Sequence, residues 1–95
     1  MDSVALQSFS PYLNDTFSAL HDGVEVSLVL VEAVALDATG IAGREPFSLL
    51  FHGHSPTLLP QDIYQIRHPA VGECAIFLVP VARHENGFAY QAVFN

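Results

Sequence analysis

His52-Gly53-His54 puts two imidazoles at positions i and i+2, and on a β-strand such residues point to one side, where both can reach a single metal ion. His68 and Cys74 follow in the sequence and are the residues that would complete such a site. Barrel enzymes that use a His-x-His pair add a carboxylate or a further His at set spacing, as the cupins do with a Glu shortly after the pair. Here the next acid is Asp62, beyond Pro56 and Pro60, so that pattern fails. His52 and His54 are therefore candidate metal ligands set against a simpler reading, polar residues on the solvent side of a strand, and no metal or cofactor is expected.

The remaining reactive residue types form no catalytic constellation. Cys74 opens an apolar strand next to Glu73, and a neighbouring carboxylate raises a thiol pKa, so a small core residue is expected there and not a nucleophile. Asp15, Asp22 and Glu85 sit where turns want them, and no two carboxylates show a catalytic spacing. Gly-rich phosphate loops, nucleophile elbows and zinc-finger spacings are missing from the sequence. No catalytic residue is assigned, and the expectation is a protein that is not an enzyme. Arg44 and Arg67 are candidate anchors for a partner, since Arg is over-represented at interface hot spots.

These residues belong to a chain of 95, the size of one domain, so residues 1–95 are read as a single unit. Its formal charge is −7 with only 14% charged residues, and its cations are Arg44, Arg67 and Arg83 with no Lys. Three scattered Arg cannot neutralise a run of phosphates, so neither nucleic acid nor an anionic membrane is an expected partner. The first residues are acidic and soon polar, unlike a signal peptide, and the apolar run 28–31 is too short to span a bilayer. A cytoplasmic location is expected, and the single Cys74, which has no internal disulfide partner, agrees with a reducing compartment.

Leu6, Phe9 and Leu13 recur at spacings of three and four, with Asp2 or Ser3 as N-cap and Pro11 as a stop, which predicts a short helical segment. Its apolar side would plug one end of a small barrel. Strands follow at 16–20, 24–36, 47–54, 63–68, 74–83 and 88–95, separated by Asp22-Gly23, a Gly-containing loop at 37–45 expected to be mobile, the Pro-bounded segment 56–60, a turn at 68–73 and Asn86-Gly87. Glu32 falls on the apolar parity of its strand, so either a β-bulge near Val31 shifts the register or the strand leaves the core there. Pro80 requires an edge or a bulge. Six strands with no βαβ spacing predict an all-β fold, a small antiparallel barrel or two-sheet sandwich with a short N-terminal helical segment.

The second and fifth strands are apolar on both faces, whereas a small antiparallel sheet normally keeps one face wet. A second cover is needed. The N-terminal turns and Leu58-Leu59 supply part of it, and a protein partner or a second copy supplies the rest. Val29, Val31, Phe77, Val79 and Val81, with Arg67, are the residues expected at that interface. The function read from this is a non-enzymatic structural or interaction domain. A small-ligand-binding β-barrel is the alternative, with a metal-dependent enzyme third.

Residues 44–53, 59–64, 68–73, 77–81 and 90–95 together resemble a family of small bacterial proteins known only as a domain of unknown function. That family is loosely associated with phage-tail-collar-like proteins, so the resemblance implies a structural or assembly role. It brings no catalytic residue, and the position of His54 is not tied to His in it, which counts against a metal site.

Overall fold

The structure is a computed structural model, and it describes residues 5–36, 46–84 and 86–94. Six strands run in chain order: β1 (Thr16–His21), β2 (Val24–Ala35), β3 (Phe47–Gly53), β4 (Asp62–His68), β5 (Gly72–His84) and β6 (Gly87–Phe94). All neighbours are antiparallel, and they close into a barrel in the order β1-β2-β3-β6-β5-β4. Of the two architectures expected, the barrel is the one formed. Its closing seam is short, since β1 meets β4 only from Ser18↔Arg67 to Leu20↔Gln65.

Alternation decides what fills the interior. Phe47, Leu49, Phe51 and Gly53 of β3 are buried while Ser48, Leu50 and His52 between them stay partly accessible, the period of two that a pleated strand imposes. Phe17, Leu28, Leu30, Ile66, Ile76, Leu78 and Tyr90 point inward from the other strands and are at most 1% exposed. A Cβ at Gly53 would lie 3.1 Å from Leu28 and 3.3 Å from Tyr90, closer than ordinary contact, so the interior there is tightly packed.

The two parity conflicts in the sequence are both bulges. Between Leu30 and Glu32 the β2–β3 register shifts, which returns Glu32 to the outside opposite Leu50 and brings Ala33 inward opposite Leu49. Pro80 lies at the second shift, between Pro80 and Ala82 on β5, where the missing N–H removes no regular ladder bond. It also lies past the start of β4, whose pairing with β5 reaches only Asp62↔Leu78, so on that side it has no strand partner among the described residues.

Asp22 and Gly23 both take positive φ, 52° and 79°, which is what a two-residue hairpin between β1 and β2 demands. The N-terminal segment forms a helical turn, α1 (Leu6–Phe9), continued by a 3-10 turn at Ser10–Tyr12. Phe9 is fully buried against Phe17, Phe47 and Phe94 and stoppers one mouth of the barrel. Two details differ from expectation. Pro11 sits inside the 3-10 turn, where an N-terminal position needs no N–H, and Leu13 is 40% exposed. At the other mouth Leu59 is fully buried, its N–H donating to the Tyr90 hydroxyl at 3.0 Å, while Leu58 is exposed.

The expected caps Asp2 and Ser3, the loop 37–45 with Arg44, and Glu85 lie outside the described residues. Among the described residues no helix is long and apolar enough to cross a membrane.

Candidate functional site

His52 leaves β3 on the outer face, opposite Val29 of β2 and Ala89 of β6. His84, near the end of β5, stands beside it with ring centroids 4.8 Å apart, and the rings of His54 and His84 are 5.7 Å apart. The third imidazole comes from a strand that the His-x-His spacing does not reveal, because β5 is brought near β3 only through β6. Nε2 of His84 is shut off from solvent and has no hydrogen-bond partner among the described residues. Burial first, then His84 and His54, lower the pKa of His52, while Glu32 pulls the other way. Even so, no group of three or more His, Cys, Asp or Glu side chains among the described residues is arranged to hold a metal ion.

His68 and Cys74 do not join this cluster. His68 is at the far mouth, 6% exposed, with Nδ1 accepting the N–H groups of Ala70 and Val71 at 3.0 and 3.3 Å and Nε2 bonded to Asp15 Oδ2 at 3.0 Å. With two N–H groups donating to Nδ1 and Nε2 bonded to Asp15, His68 is a satisfied core residue packed beside Phe17 and Tyr12. Cys74 packs against the core, and burial pushes its thiol pKa up, away from nucleophilic use.

The expected interface residues fall on two separate walls. Phe77 and Val81 on β5 are 48% and 50% exposed and Val79 is half-buried, whereas Val29 and Val31 are half-buried on β2, with β3 and β6 in between. Arg67 points outward from β4 and is already engaged, at 3.0 Å with Glu73 and 3.6 Å with Glu25. Ile63, directly opposite Phe77, is the exposed residue the sequence reading missed, at 63%. Its signal was present: it shares the polar parity of Gln65 and Arg67, which alternates with inward Tyr64 and Ile66. Leu20, opposite Gln65 and 47% exposed, extends the strip onto β1.

A family model for a domain of unknown function matches residues 4–94. The chain belongs to the DUF6916 family. No curated protein and no solved structure matches it. Membership in DUF6916 transfers no catalytic or binding residue, so the site rests on this chain's own geometry.

In this DUF6916 domain a half-open groove of about 730 Å³ runs along β2. Val24, Glu25, Val26 and Ser27 line it in unbroken succession, together with His54, Ser55 and Thr57 on the opposite side and His21 and Asp22 at one end. Alternate residues of a strand face opposite sides of a sheet, so four in a row line a groove only when the strand's edge is turned to it.

Proposed function

We propose that this is a non-enzymatic structural or protein-interaction domain, working as a subunit of a phage-tail-like assembly. The observation that carries the reading is the apolar strip on the outer wall. Ile63 and Phe77 face each other across β4 and β5 and expose 63% and 48% of their surface on a barrel whose interior is already filled. Adjacent large apolar side chains left in water on an acidic, lysine-free protein are the signature of a protein contact surface. The filled interior argues against the alternative of a ligand-binding barrel, which needs space inside its sheet.

Sedimentation velocity tests the reading. The wild-type protein is expected to self-associate as its concentration rises into the high micromolar range, and the double variant Ile63→Ser, Phe77→Ser to stay monomeric with its melting temperature kept. A wild-type protein that is a strict monomer, with a sedimentation profile indistinguishable from the double variant, overturns it.

A further inference from the structure

We propose that the groove beside β2 is a strand-docking site for an extended, basic segment of a partner polypeptide, held by main-chain pairing to Glu25 and Ser27; this deepens the interaction-domain reading and rests on it. The argument begins with the backbone. Leu30 donates its N–H to the Asp15 carbonyl at 3.1 Å and accepts from the Asn14 N–H at 2.6 Å, so its polar groups face β1. Alternation then turns Leu28, Val26 and Val24 toward β1 as well, and Val29, Ser27 and Glu25 toward the other side. Val29 finds its partner there in His52 of β3. Ser27 and Glu25 have no strand partner there among the described residues, because β3 ends at Gly53, opposite Leu28.

The sequence explains why β3 stops. Continued in register, Ser27 would meet His54 and Glu25 would meet Pro56, and Pro56 has no N–H to give to the Glu25 carbonyl. The chain turns away instead, with the Ser55 hydroxyl accepting the Thr57 N–H at 3.1 Å. The closed barrel thus keeps a short stretch of unpaired edge on β2, and the 54–57 segment forms the far wall of the groove beside it. Paired edges abolish strand addition; this one retains the means for it.

Charge selects the occupant. Asp22 and Glu25 border the groove, and among the described residues Arg67 is shared between Glu25 and Glu73, so it offsets only part of their charge. A second copy docked edge to edge would bring its own Asp22 and Glu25 against these and be repelled at this site. An extended segment bearing Arg or Lys is attracted, and the hydroxyls of Thr16, Ser27, Ser55 and Thr57 line its path.

The test uses the full chain and a capped heptapeptide alternating Arg with Thr and Val. Controls are the same peptide N-methylated at alternate backbone nitrogens and a version with Glu in place of Arg. Saturating peptide is expected to slow hydrogen exchange of the Glu25 and Ser27 amides by about tenfold or more, with N-methylation weakening binding to a similar degree. Glu25→Lys, an outward-facing change that leaves the barrel's melting intact, is expected to abolish binding of the Arg peptide. Equal binding of the N-methylated or the Glu peptide overturns the proposal. So does protection of those two amides that grows with protein concentration alone, which would make a second copy the occupant. Absence of binding at millimolar peptide, in a protein that still self-associates through Phe77, overturns the groove and leaves the interaction-domain reading standing.

Discussion

His52, His54 and His84 crowd together on the outer wall, and their placement makes protonation costly in the folded state. Charging His52 sets a cation beside two other imidazoles in partial burial, and only Glu32 on β2 opposes this; Ala89, its neighbour on β6, offers nothing. In the unfolded chain the same group titrates near its ordinary 6.5. The folded value is depressed, so the unfolded state binds more protons as pH falls, and the stability present above about 6.5 is lost progressively below it. Urea midpoints are therefore expected to drop between pH of about 7.5 and about 5.5, and to drop less in His84→Gln, which removes the nearest imidazole while keeping a polar side chain. An unchanged pH slope in that variant would show that the cluster does not act as a unit. His68 is the contrast in its surroundings: both of its ring nitrogens are hydrogen-bonded.

Between residues and barrel stand the pieces that make the strands fit. The β2 bulge lets one long strand change its apolar parity at Val31, so residues before and after it both serve the same interior. The N-terminal helical turn has too few residues to be stable alone and is held by the aromatic group it caps. Phe9 touches Phe17, Phe47 and Phe94 with ring centroids 6.0–6.3 Å apart, and Phe47 stacks on Phe94 at 4.5 Å. Phe9→Ala is expected to lower the free energy of unfolding by roughly 3–5 kcal/mol, a large share of what a domain of this size possesses. Chemical denaturation followed by circular dichroism measures it, and a loss well under 1 kcal/mol would mean that the segment is dispensable to the barrel.

For the molecule as a whole, shape and charge act together. Closure pairs every strand with two neighbours over part of its length, so the surface offered to partners includes the outer wall and the short open edge of β2. The chain carries a net −7, against which the described ion pairs of Arg67 are exposed and contribute little. Self-repulsion of this kind is screened by salt. The melting temperature at pH 7.5 is expected to rise by a few degrees between about 20 mM and about 300 mM sodium chloride. A falling melting temperature over that range would mean that local ion pairs outweigh the repulsion.

Strand positions, both bulges and the N-terminal stopper were legible because each follows from local parity or from a residue that permits one backbone geometry. Glu32 on the wrong parity announced the first bulge, Pro80 the second, and Asp22-Gly23 the hairpin. The outward lean of Phe77, Val79 and Val81 was legible as excess apolarity, but not that β3 and β6 would separate them from Val29 and Val31. Barrel closure depended on a three-residue seam between β1 and β4, a contact between distant parts of the chain that no local pattern encodes. The same holds for His84 joining the histidine pair that first suggested chemistry. Local sequence dictates which way each side chain leaves its strand, whereas only the closed sheet decides which strands stand side by side, and the groove beside Glu25 and Ser27 exists where β3 stops short of the start of β2.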